Sequence, residues 1–260
     1  MTLPVARLRS MLGILLALAC LPPAAIARET GFLDRTVTLA GEAYRYQVYV
    51  PRGASTRNRL PIVLALHGSG ERGSDGILQT EVGLANAVRR DPDRWRAIIV
   101  FPQARSDSSW QNRSADVALA ALAREERAFH TDPRRVYLTG LSLGGNGVWY
   151  LAYHNPERFA AIVPVCGFVS ARDVIPSIVP DVADPYRAVA ERIARVPVWI
   201  IHGGADPVVG VEEARSMAAA LKAVGAQVHY AELPGVGHAS WVPGYGDSAL
   251  ATWLFQQHRP

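Results

Sequence analysis

Three side chains stand out because together they could make and break an acyl bond. Ser142 lies in Gly140-Leu141-Ser142-Leu143-Gly144, a Gly-x-Ser-x-Gly pattern. A serine at its centre sits on a sharp turn, and the flanking glycines let backbone crowd in without Cβ clashes. Asp206 closes the stretch His202-Gly203-Gly204-Ala205-Asp206, and His238 closes Pro234-Gly235-Val236-Gly237-His238. A serine hydroxyl is a weak nucleophile. It needs a base within hydrogen-bond reach, and the base needs a third group to orient it. Ser142, His238 and Asp206 supply these roles. Each has an ordinary reading when taken singly, because aspartate is common at helix caps and turns and a turn histidine is usually polar surface. The case rests on their order and placement.

A fourth segment, His67-Gly68-Ser69-Gly70, fits the same chemistry. Acyl transfer builds negative charge on the carbonyl oxygen. Two backbone N–H groups aimed at it stabilise that charge, and losing one donor typically costs ~2.7–4 kcal/mol. The expected donors are the N–H of Leu143, next to the nucleophile, and the N–H of Ser69. His67 is expected to pin the loop with its ring rather than act as a second base.

These residues need strands that end where they begin. Residues 35–39 and 44–50 read as two strands joined through Ala40-Gly41-Glu42, a hairpin. Short apolar runs follow at 61–66, 97–101, 136–139, 161–165, 198–201 and 227–233. Runs of this kind suit strands buried on both faces. Helical stripes lie between them, at 116–129, at 211–224 and at 247–257, and a helix is expected to follow Ser142 through Tyr153. The fold class expected is α/β, an open and mostly parallel sheet with helices on both faces and a short antiparallel hairpin at its start. Ligand sites in such sheets lie past the carboxyl ends of the strands. Ser142, Asp206, His238 and Ser69 all fall there.

The sequence resembles the α/β-hydrolase superfamily. Within it, the chain is similar to the secreted esterases described as polyhydroxybutyrate-depolymerase-like, feruloyl-esterase-like or "predicted peptidase". The resemblance is carried by Leu66-His67-Gly68-Ser69-Gly70-Glu71-Arg72-Gly73, by the run from Asp132-Pro133 to Gly144-Gly145, by the turn from His202 to Pro207, and by His238 with Trp241. It implies the α/β-hydrolase fold and a Ser142–Asp206–His238 triad. It leaves the ester open: feruloyl or acetyl groups, polyesters, lipids and simple esters all fit.

The 260 residues open with Arg7 and Arg9, an uncharged run over 11–21, Pro22-Pro23 and Ala25-Ile26-Ala27. This is the order of a cleavable secretory signal, with cleavage expected after Ala27 and export as the consequence. A lipoprotein anchored at Cys20 is the alternative. The apolar run is short for a membrane span. Cleavage would remove both arginines and no acid, lowering the formal charge from +4 to +2. Residues 28–260 then form one catalytic domain. The arginines are scattered rather than clustered, so nucleic acid is not an expected partner. Two cysteines cannot build a disulfide framework or a four-thiolate zinc site. Cys166 reads as a buried core residue. No metal-ligand spacing, phosphate loop or dinucleotide fingerprint follows a strand, so neither metal nor cofactor is expected.

Specificity is left to loops. Trp110 and Trp241 are candidate walls of a substrate pocket, each with simple packing as the alternative. Trp149 is expected in the core. Glu71 and Arg72 suggest an ion pair that fixes the loop, or a contact to charged substrate. The proline-rich stretch 169–195 is either a small lid or a segment packed on the body. The activity expected is a serine carboxylic-ester hydrolase acting on a small-molecule, polysaccharide-linked or polymeric ester. The rivals are a serine peptidase of the prolyl-oligopeptidase type and a non-catalytic binding protein on the same fold.

Overall fold

The computed structural model describes residues 29–54 and 59–260. The expected signal segment and Cys20 lie outside the described residues. Eight strands form one sheet: β1 (Gly31–Leu39), β2 (Glu42–Val50), β3 (Ile62–Leu66), β4 (Ile98–Pro102), β5 (Val136–Leu141), β6 (Ala161–Val165), β7 (Val198–Gly203) and β8 (Val228–Leu233). Their spatial order is β1-β2-β4-β3-β5-β6-β7-β8. β1 runs antiparallel to β2, and β2 antiparallel to β4; all other neighbours are parallel. The hairpin turn needs two residues at positive φ, and Ala40 (49°) with Gly41 (85°) supply them.

Alternation within the central strands splits the core in two. Ile62, Leu64 and Leu66 of β3 face one side, where they meet Ile98, Val100 and Leu138. Val63 and Ala65 face the other, with Ile99 and Tyr137. The first face is covered by α2 (Arg113–Phe129), α3 (Leu143–His154), α4 (Pro185–Arg192) and α5 (Glu212–Ala223). The second is covered by α1 (Leu84–Arg90), α6 (Trp241–Gly246) and α7 (Ser248–Gln256). Burial on both faces is why the central strands carry unbroken apolar runs.

Three helices depart from the sequence reading: α1, α4 and α6 were not expected. They are short, from six to eight residues, and a single turn or two shows no apolar stripe. For α4 a signal was present. The Asp184 side chain accepts from the Arg187 N–H, and Pro185 occupies the first helical position. Over residues 169–195, Val169, Ile178, Val189, Ala190 and Ile193 are buried in the main core, and α4 lies against α5. Most of that stretch is therefore part of the body. Only its turn at Arg172–Ile175, closed by two backbone hydrogen bonds, borders the cleft described below.

Candidate active site

Ser142 sits between β5 and α3 at φ 54°, ψ −116°. That conformation is costly for any residue with a Cβ, and it pushes the side chain out of the strand-to-helix turn. The Ser142 N–H donates to the Val165 carbonyl at 2.9 Å, tying the turn to β6. The turn also presses on the loop after β3. A Cβ on Gly144 would lie 2.2 Å from the Leu66 oxygen, so only glycine allows the two segments to meet.

The histidine and the acid arrive from the next strands. His238 follows β8 and Asp206 follows β7. A Cβ on Gly203 would lie 2.2 Å from the Gly237 oxygen, and the Ala205 N–H donates to Val236 O at 2.9 Å. This close approach brings the two turns into register. His238 Nε2 then lies 2.9 Å from Ser142 Oγ, and His238 Nδ1 lies 2.8 Å from Asp206 Oδ2. A carboxylate only accepts, so Nδ1 carries the proton and Nε2 presents a lone pair to the serine hydroxyl. Asp206 Oδ1 accepts from the Val208 and Val209 N–H groups at 2.8 and 3.0 Å. Its side chain is fully buried, whereas that of His238 is 20% exposed. Burial alone would raise the Asp206 carboxyl. The hydrogen bonds from His238, Val209 and Val208 outweigh that and hold it below the ordinary carboxylate range.

A cleft of about 380 Å³ opens over Ser142. Leu143 and Ser69, the two expected donors, line it beside the serine. Leu143 is the first residue of α3, where backbone N–H groups have no partner inside the helix. The loop that carries Ser69 is held from below. His67 Nδ1 donates to Gly68 O at 2.6 Å, which leaves Nε2 to accept from the Ala104 N–H at 3.0 Å. Arg72 donates from Nε to Ser69 O at 3.0 Å and from Nη1 to Ser108 O at 3.4 Å. The guanidinium thus fixes the loop through carbonyls. The ion pair with Glu71 suggested by the sequence is absent among the described residues. Instead Glu71 Oε2 is buried without a partner, and burial raises that carboxyl.

For Trp110 the packing alternative is the one that fits. It is 0% exposed, donates from its indole N–H to His67 O at 2.8 Å, and packs edge-on against the His67 ring. It supports the loop from beneath and walls no pocket. Trp241 sets its ring edge-to-face with His238, centroids 5.5 Å apart, but is not among the residues lining the cleft. Trp149 is buried in the core, as expected. Cys166 is fully buried, and burial pushes its thiol up to about 12, so it stays protonated. Among the described residues, Cys166, Asp206 and His238 are the one trio of potential ligand atoms within 4.8 Å of one another. The aspartate and histidine atoms already serve each other and the serine.

Burial also pushes the His67 imidazole down to about 4. A free histidine titrates near 6.5, so the unfolded chain takes up this proton first as pH falls. The stability that neutral His67 contributes is therefore complete above about pH 6.5 and is lost as pH falls toward 4. Urea unfolding at pH 7 and pH 4.5 should show wild type losing roughly 2 kcal/mol more than His67→Phe, which has no proton to bind there. Equal losses in the two proteins would refute this.

Eight strands in this order, with a strained serine turn after the fifth, define the α/β-hydrolase superfamily. The chain belongs to the Dienelactone hydrolase family, whose model matches residues 91–249. An uncharacterized secreted protein of Arthroderma benhamiae is 28% identical over 211 residues, 72% of this chain and 22% of the relative. The crystal structure of a thermostable esterase is 31% identical with a TM-score of 0.73, covering 88% of this chain and 63% of that one. An acylaminoacyl peptidase of Pyrococcus horikoshii shares the fold at 15% identity, with a TM-score of 0.65 over 88% of this chain and 42% of the peptidase. The chain thus spans about a fifth of this secreted relative and under two thirds of the esterase. No helix among the described residues is long and apolar enough to cross a membrane.

Proposed function

We propose that this chain is a serine carboxylic-ester hydrolase that works through an acyl-enzyme. The observation that carries the reading is the continuous hydrogen-bond path from Asp206 through His238 to Ser142 Oγ at the base of an open cleft. Ser142 Oγ attacks the ester carbonyl as His238 Nε2 takes its proton. Asp206 holds the ring and balances its new positive charge. The carbonyl oxygen becomes an oxyanion facing the Leu143 and Ser69 N–H groups. His238 returns the proton to the leaving alcohol. Water then enters, loses a proton to His238, and releases the acid, restoring Ser142.

The cleft supports an ester with two unlike halves. Loops after β3 and β4 supply Ser69, Arg72, Asp107, Ser108 and Ser109, while loops after β6 and β7 supply Phe168, Ile175, Val208 and Val209, along with the charged pair Arg172 and Asp173. β5 with Ser142 lies between the two sets in the sheet. The leader-like N-terminus and the secreted relative support action outside the cytoplasm, with residues 28–260 as the catalytic domain. The peptidase reading has the shared fold in its favour, since acylaminoacyl peptidase uses the same architecture. Parallel assays decide between them. kcat/KM on p-nitrophenyl acetate should exceed that on a peptide p-nitroanilide by more than the ratio of their uncatalysed hydrolysis rates, because the ester is already the more reactive substrate. The reverse preference would favour the peptidase.

A further inference from the structure

His202 is a fully buried histidine to which the mechanism above assigns no part. It lies near the end of β7, four residues before Asp206. Its Nε2 is 2.9 Å from the Val209 carbonyl oxygen and 3.3 Å from Asp206 Oδ2. A carbonyl oxygen only accepts, so Nε2 carries a hydrogen. That hydrogen goes to Val209 O, and the same nitrogen lies 3.3 Å from the Asp206 oxygen that accepts from His238, without a hydrogen bond to it. Val209 closes the circuit, because its own N–H donates to Asp206 Oδ1 at 3.0 Å. The other ring nitrogen, Nδ1, is buried with no partner. A proton there would have nothing to donate to, which disfavours the charged ring.

We infer that His202 is a positioning residue, a neutral Nε2–H imidazole that fixes the orientation of the Asp206 carboxylate and tempers its pull on His238. The ring holds residue 209 by its carbonyl, residue 209 holds the carboxylate by its amide, and the Nε2–H dipole lies beside Oδ2 without bonding to it. Without that dipole beside it, Oδ2 accepts from His238 Nδ1–H more strongly, and without the hold on residue 209 the carboxylate is less firmly aimed.

The groups around this circuit are few. Glu232 lies opposite His202 on β8 and is tied to Arg215 of α5 at 2.6 and 2.9 Å. Cys166, past β6, is a protonated thiol. Ser142 faces the far side of His238. Arg215 and Tyr230 chiefly hold the Glu232 carboxyl low, with a smaller part from His202, so of these groups only Glu232 feels the replacement.

The test compares the full chain with its His202→Phe and His202→Gln variants. His202→Phe keeps a flat ring and removes the donor. His202→Gln places an amide N–H at similar reach. Against p-nitrophenyl acetate, His202→Phe should lower kcat by roughly tenfold to a hundredfold with little change in KM. The acid limb of its kcat/KM profile should move to higher pH. His202→Gln should recover much of both. A purely structural histidine would lower the Tm and leave the limb in place, and that result overturns the inference. If His202→Phe does not fold, the ring nitrogens of the wild-type protein decide. By 15N NMR at pH 7, His202 should carry its hydrogen on Nε2 and none on Nδ1. A hydrogen on Nδ1 overturns the inference. The inference rests on the proposed triad, but the two fail separately. An active Ser142→Ala variant would remove the triad, whereas an inactive Ser142→Ala beside unchanged His202 variants would remove only the role of His202.

Discussion

Replacing Ser142 by alanine should lower kcat on p-nitrophenyl acetate by at least about 10⁴-fold while leaving the fold intact. The side chain makes one hydrogen bond in the structure, to His238 Nε2. Its backbone N–H to Val165 and the Leu143 N–H remain in the variant. Alanine also has a Cβ, so it bears the same cost at φ 54° and the Tm should hardly move. Ser142→Gly sharpens the prediction. It should be equally inactive yet more stable by about 1 kcal/mol, because glycine occupies positive φ without strain. In a domain of this size that is a rise of roughly 2–4 °C in Tm. Activity above about 1% of wild type in either variant would mean that another group attacks the ester.

Asp206→Asn should cost about 10⁴-fold in kcat with little loss of structure. Asparagine can keep Oδ1 as the acceptor of the Val208 and Val209 N–H groups, so the turn after β7 should hold. Its other terminus becomes an NH2 facing His238 Nδ1. A donor there forces Nδ1 to accept, which moves the histidine proton to Nε2. Nε2 then meets Ser142 Oγ as a donor and can no longer take the hydroxyl proton. The same substitution removes the negative charge that balances the imidazolium. Steady-state kinetics of the folded variant, with its Tm recorded alongside, measure the effect. A fall of less than about tenfold would mean that Asp206 neither sets the tautomer nor stabilises the charge.

Much of the framework was legible from residue types. Buried parallel strands announce themselves as short apolar runs, and the residues just past them are where a parallel sheet exposes chemistry. Ser142, Asp206, His238 and Ser69 were singled out on that ground, and the structure places Ser142, His238 and Asp206 within hydrogen-bond reach of one another. His67 was expected to pin its loop, and its two hydrogen bonds do so. What escaped was set by tertiary contact. Trp110 reads equally as a pocket wall or as packing, and it is buried under the β3 loop by a bond to a residue 43 positions away. Arg72 lies beside Glu71 in sequence but reaches the carbonyls of Ser69 and Ser108. α1 and α6 are too short to show a period. The role inferred for His202 depends on which nitrogen meets Val209, and only three-dimensional placement reveals that.

The central claim is that Ser142 is the nucleophile of an acyl-transfer site, and covalent labelling tests it most directly. The folded chain is treated with a fluorophosphonate, digested, and its peptides are weighed. One phosphonyl group should be found on the peptide carrying Ser142, with hydrolysis of p-nitrophenyl acetate lost in step, and Ser142→Ala should remain unlabelled. Labelling at a different residue, or an active folded protein that takes up no label, would contradict the account.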